Sequence, residues 1–153
     1  MSADASSEPG LAAALQQYMQ ARTAALITAR KELQIGELDA RALLFIADHP
    51  GTRPSMLRDY LGITSAGVTT LVDRLAERGA VRREVDAQDR RVNRLSVAVD
   101  LTGEPWSALT RFDRDFSAAI DAGDPRAMAD FASALSALTT TTTGAAHASA
   151  GQG

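Results

Sequence analysis

The chain contains no cysteine, and among its 153 residues there are only two histidines, four phenylalanines, two tyrosines and one tryptophan. The first absence excludes disulfides, thiolate zinc sites, iron–sulfur clusters and thiol redox sensing together, and a cytoplasmic protein is the expectation. Charged residues interrupt every apolar run well short of the roughly 18 residues a membrane span requires, so no membrane association is expected. Met1 to Gly10 carries Asp4 and Glu8 without a basic or apolar block, which is neither a secretory signal nor a transit peptide. The few histidines also leave little for catalysis. His147 falls in the C-terminal tail, and His49 sits in a turn beside Pro50 with Asp48 as its close acid. Asp113 and Asp115 stand two apart and face different sides of a helix, and no glycine-rich phosphate loop follows a strand. The expectation is a protein that is not an enzyme and carries neither metal nor cofactor. A chain of this length builds one core, so a second function must share the fold or arise at a subunit interface.

The formal net charge is −3, but the charges are not evenly spread. Residues 52–97 hold nine arginines (53, 58, 74, 78, 82, 83, 90, 91 and 94) against six acids (59, 73, 77, 84, 86 and 89), a local +3, which leaves −6 for the remainder. A basic middle between acidic ends is the pattern of a chain that presents one edge to a polyanion.

Residues 1–8 and 139–153 are small, polar or threonine-rich and are expected to be disordered. Between them the apolar period is helical. Leu11, Leu15, Tyr18, Leu26, Ala29 and Leu33 predict a long first helix broken at Gly36. Glu37 to Asp48 reads as a second helix with Leu38, Ala42, Phe45 and Ile46 inside, stopped by His49-Pro50-Gly51. Thr52 to Leu61 reads as a third, with Met56, Leu57, Tyr60 and Leu61 turned inward. Thr64 is a plausible N-cap for a fourth, whose stripe is Val68, Leu71, Val72 and Leu75 and whose end is Gly79. Two helices joined so tightly read as helix-turn-helix. The period then changes to two at Val81, Arg83 and Val85 and again at Leu95, Val97 and Val99, with Asp86 to Asp89 as a turn, which predicts a β-hairpin. Two last helices follow, with seams at Leu109, Phe112, Phe116 and Ile120 and at Met128, Phe131, Leu135 and Leu138. Asp124-Pro125 provides a cap and a first-turn proline. These seams and the first helix carry more apolar surface than one small helix-turn-helix covers, which implies a homodimer with an α-helical interface.

The fold class expected is therefore mainly α with a small β-hairpin wing. Residues 9–35 and 103–138 form a helical dimerisation region, and residues 36–101 a winged helix-turn-helix. This order, with Leu71-Val-Asp-Arg-Leu75, then Glu77-Arg-Gly79, then Asp89-Arg-Arg91, resembles the MarR (multiple antibiotic resistance regulator) family over about residues 11–138. An α-helix fits the major groove, and its N-terminal N–H groups favour phosphate. On the fourth helix Ser65, Gly67, Thr69, Thr70 and Arg74 are expected to face double-stranded DNA, with Gly67 allowing close backbone approach. The resemblance implies that Arg90 at the hairpin tip enters the minor groove and that Arg91 pairs with Asp73 to position the wing. Relatives often carry an arginine near position 70, where this chain has Thr70, so few side chains can read guanine and specificity is expected to depend on Arg74, the wing and DNA shape.

What the resemblance implies for function is a homodimeric transcriptional regulator, a repressor recognising a pseudo-palindromic operator. In many relatives a small aromatic or anionic effector binds between dimer arm and winged domain; Tyr18, Arg22, Phe45 and Trp106 are candidates to line such a crevice. The alternative is a winged helix that docks on protein without sequence-specific DNA binding.

Overall fold

In the computed structural model, residues 10–86 and 93–150 are described, with side chains to residue 144. The described elements run in the order α1 (Leu11–Leu33), α2 (Glu37–Asp48), α3 (Pro54–Leu61), α4 (Ser65–Glu77), β1 (Val81–Val85), β2 (Asn93–Val97), a 3-10 turn (Trp106–Leu109), α5 (Arg111–Asp121) and α6 (Pro125–Ala150). The chain divides into two compact units after Phe112.

The core of the first unit is aliphatic and lies where α2, α3, α4 and the hairpin meet. Leu43, Ile46, Leu57, Leu71, Val72, Leu75 and Leu95 are fully buried there. Each such side chain contributes on the order of 1.5–3 kcal/mol by leaving water. Only the C-terminal end of α1 enters this core, through Ala29 and Leu33, and Leu109 joins it from the 3-10 turn, an element the sequence pattern assigned to a longer helix. Leu11, Met19 and Ile27 of α1 stay exposed.

Several local expectations change. The first break is made by Gln34, which adopts the left-handed conformation at φ 53° and lets its N–H close on the last turn of α1. Gly36 instead begins α2 as its N-cap. On α2 the buried face is Asp39, Ala40, Ala42, Leu43 and Ile46, whereas Leu38 is exposed and Phe45 half-buried. α3 starts at Pro54, because Thr52 is drawn into a β-bridge with Leu95. Met56 and Tyr60 lie outward, and Leu57 and Leu61 do the packing. In the hairpin, Val81 pairs with Val97 and Val85 with Asn93. Val81 and Leu95 point into the core while Val85 is exposed.

In the second unit α6 begins with the Asp124 carboxylate accepting from the Ala127 N–H at 2.8 Å. It continues through the threonine run to Ala150, past the Leu138 at which the sequence pattern ends it. The hydroxyls of Thr139, Thr141, Thr142 and Thr143 return to carbonyls one turn back, which satisfies them inside the helix. Phe116, Ile120, Phe131 and Leu138 are exposed in the single chain. No described helix is long and apolar enough to cross a membrane.

Candidate nucleic-acid interface

The helix-turn-helix is built on Gly62 and Thr64. Gly62 takes φ 67° to end α3, a conformation that a side chain with a Cβ resists. Two residues on, the Thr64 hydroxyl oxygen accepts from the Gly67 N–H at 3.0 Å and fixes the start of α4. Val68, Leu71, Val72 and Leu75 turn α4 inward, so Ser65, Ala66, Thr69, Thr70, Asp73, Arg74 and Glu77 are its exposed residues. The Thr69 hydroxyl donates to the Ser65 carbonyl at 3.0 Å. Its hydrogen is thereby committed to the helix, leaving the methyl group and the acceptor lone pairs of the oxygen for outside contact.

Gly67 is not among those exposed residues. A Cβ built there would meet the Thr64 hydroxyl oxygen at 3.2 Å and the Ile63 side chain at 3.6 Å. The missing side chain thus makes room for the turn and its cap.

Arg74, expected on the DNA-facing side, has a partner within the chain. Its guanidinium grips the Asp39 carboxylate of α2, with Nε donating to Oδ2 at 3.2 Å and Nη2 to Oδ1. Asp39 is buried, and its Oδ2 accepts in addition from the Gly36 N–H at 3.2 Å, so one carboxylate caps α2 and holds α4. The hydrogen bond to Asp39 raises the Arg74 pKa above its ordinary value. One turn further on, Arg78 donates from Nη1 to the Gln34 carbonyl at 2.7 Å and from Nη2 to the Leu33 carbonyl at 2.8 Å, capping the C-terminus of α1.

The basic middle is largely balanced from within. Arg58 pairs with Asp59 at 2.7 Å, Arg82 with Glu84 at 2.6 Å, and Arg94 with Asp86 at 2.5 Å. Arg83 pairs with Asp73 at 2.5 Å, so within the described residues it is Arg83 that joins α4 to the hairpin. Arg90 and Arg91 lie outside the described residues. Among the described residues of this segment, Arg53 is the arginine whose side chain has neither a carboxylate partner nor a hydrogen-bond acceptor. Pairs between exposed groups contribute only about 0–1 kcal/mol, so phosphate can replace their carboxylates. The sequence offered a hint of Asp39, which stands at the third helical position after a glycine, but none of its partner 35 residues away.

The wing is seated by backbone. Leu95 N–H donates to the Thr52 carbonyl at 2.8 Å and Gly51 N–H to the Leu95 carbonyl at 3.0 Å, tying β2 to the α2–α3 loop.

Residues 33–92 match the sequence model of the MarR family, the stretch that contains α2, the helix-turn-helix and the start of the wing. The winged helix is similar to that of the MarR family. Likeness of fold to solved structures extends over most of the chain. A point mutant of S. aureus MepR bound to an oligodeoxyribonucleotide is 17% identical, over 88% of this chain and 99% of that one, with a TM-score of 0.56. S. aureus MepR bound to ethidium bromide is 15% identical, over 88% and 98%, at a TM-score of 0.62. Transcriptional regulator Tm0710 from Thermotoga maritima is 22% identical, over 84% and 95%, at 0.58. No curated protein sequence matches the chain.

Residues of α1, α2 and α3 line an open cavity of about 720 Å³. Arg22, Arg30, Arg41 and His49 line it together with Glu37, Asp48, Leu26, Leu44, Phe45 and Tyr60. Phe45 and Tyr60 stack with centroids 4.2 Å apart, and the Arg41 guanidinium lies 5.4 Å from the Tyr60 ring centre. Arg30 and Glu37 close one end with a 3.0 Å ion pair. Of the four crevice residues expected from the resemblance, Arg22 and Phe45 line this cavity. Tyr18 instead packs on Phe112 with ring centres 5.8 Å apart, and Trp106 packs on the core.

Proposed function

We propose that the protein is a homodimeric DNA-binding transcriptional regulator, a repressor of the MarR type that recognises a pseudo-palindromic operator and is released by a small aromatic or anionic ligand. The observation that carries this reading is the capped helix α4, which lies in the MarR-matching segment and exposes Ser65, Ala66, Thr69 and Thr70 beside a hairpin that begins there. Short hydroxyl and methyl side chains suit the major groove, where hydroxyls bond to base edges and methyl groups pack on thymine. MepR, of similar fold, has been captured on an oligodeoxyribonucleotide.

The exposed apolar residues of α1, α5 and α6, Met19, Ile27, Phe116, Ile120, Phe131 and Leu138 among them, support a second copy as their partner. Two recognition helices would then enter successive major grooves about 34–36 Å apart. The cavity lined by Arg22, Arg30, Arg41 and stacked Phe45–Tyr60 suits a flat ligand with negative charge. Such a ligand weakens DNA binding only if it prefers one dimer shape over the other.

Sequencing the duplexes that the purified protein retains at physiological salt tests the reading. A two-fold symmetric site whose affinity falls steeply with salt is expected. A stoichiometric protein partner with no retained duplex would replace it with the docking reading.

A further inference from the structure

The carboxylates that hold the winged-helix arginines differ in exposure, and Asp86, which pairs with Arg94, is 13% exposed. Asp59, Glu84 and Asp73, which pair with Arg58, Arg82 and Arg83, have side chains 67%, 48% and 49% exposed. If their arginines move to a phosphate, water takes over these carboxylates. Asp39 differs, because its side chain is 5% exposed. Its two oxygens are used by Arg74 and by the Gly36 N–H, and a departing Arg74 would strand a buried negative charge. Arg74 is itself 49% exposed and follows Thr70 by one helical turn, so its head group would reach the DNA-facing row if released.

We propose that Asp39 is a specificity-determining positioning residue, which holds the Arg74 guanidinium on the protein side and keeps a cation off the surface that α4 presents to DNA. The proposal rests on the DNA-binding reading above and deepens it. A guanidinium at this place would find a phosphate on any duplex and would strengthen non-specific binding along with specific binding. Withdrawing it leaves the contact to Ser65, Ala66, Thr69 and Thr70, whose short side chains act only on the bases they fit. Asp39 therefore sets the ratio of specific to non-specific affinity without touching DNA.

The test uses the full chain and fluorescence anisotropy on two duplexes, the site recovered with the wild type and a random sequence of equal length, from 50 to 200 mM KCl. Asp39→Asn keeps an oxygen for the Gly36 N–H and removes the charge that holds Arg74. It is expected to steepen the salt slope by about 0.9 per protomer, an extra loss of about 3.5-fold across this range. It should also tighten binding to the random duplex at 50 mM, narrowing the specificity ratio. Arg74→Met, and the double variant D39N/R74M, which removes both charges together, should retain the wild-type slope. A slope shallower by about 0.9 in either variant means that Arg74 already contacts phosphate and overturns the proposal, and so does an unchanged slope in a folded Asp39→Asn. If Asp39→Asn fails to fold, the double variant decides by the same criterion. A wild type that binds neither duplex removes the DNA-binding reading itself, an outcome distinct from an unmoved slope.

Discussion

Arg78 offers a sharp separation of a structural arginine from a DNA-binding one. It follows α4 directly, in the basic segment that the sequence directs toward nucleic acid, yet its two Nη groups donate to the Leu33 and Gln34 carbonyls at the end of α1. Those carbonyls have no partner within the helix, and a cation at a helix C-terminus also meets the negative end of the dipole. A charge-assisted hydrogen bond contributes about 1.5–3 kcal/mol when shielded. Both bonds here are at least partly exposed, so the pair together is expected to stabilise by about 1–2 kcal/mol. Arg78→Met keeps most of the aliphatic stem and should lower the urea midpoint with an unchanged slope m. The melting temperature should fall by about 2–8 °C. Arg78→Lys should fall between, because an ammonium lacks the planar fork that reaches two successive carbonyls. The affinity for the recovered duplex, measured well below the melting range, should keep its salt slope. Full stability in Arg78→Met together with a salt slope shallower by about 0.9 per protomer would refute the reasoning, since Arg78 would then be a phosphate contact.

Leu95→Ala removes a fully buried side chain at the seat of the wing and should destabilise by about 2–5 kcal/mol in urea unfolding. Gly67→Ala would ordinarily stabilise a helix by up to about 1 kcal/mol. Here the new Cβ meets the Thr64 hydroxyl oxygen at 3.2 Å and disturbs a cap of about equal value, so no gain in melting temperature is expected, and a gain near 1 kcal/mol would contradict this packing. The Asp100 carboxylate accepts from the Thr102 hydroxyl and N–H, which lowers its pKa from the ordinary value. Its contribution to stability is present above the unfolded-state carboxylate pKa near 4 and is lost as pH falls through the lower folded value. A carboxyl NMR titration of Asp100 with its midpoint at or above the ordinary value would contradict these bonds.

The helices, their approximate limits and the hairpin were legible because their signals are local. Val68, Leu71, Val72 and Leu75 return at helical spacing and all four are buried. Thr64 and Asp124 stand where a helix start needs an acceptor, and each makes that bond. The inner faces were less legible. Tyr60 has the period of a core residue, but it lies over Phe45 at the cavity, a contact between two helices that spacing within α3 does not encode. Thr52 likewise resembles a helix cap until β2 arrives to bridge it.

At the candidate interface, the sequence by itself determined the inventory: a capped helix with short polar side chains, a hairpin rich in arginine and no cysteine. Periodicity and capping act over three or four residues, so these features need no knowledge of the fold. Which arginines are available was decided only by tertiary structure. Arg74 meets Asp39 from 35 residues away and Arg78 meets the Leu33 carbonyl from 45. Charge counting assigns both to the basic edge, because a sum of charges carries no information about burial. Burial is what binds Arg74 to Asp39, since a carboxylate out of water requires a partner, and the fold alone determines which carboxylate is out of water.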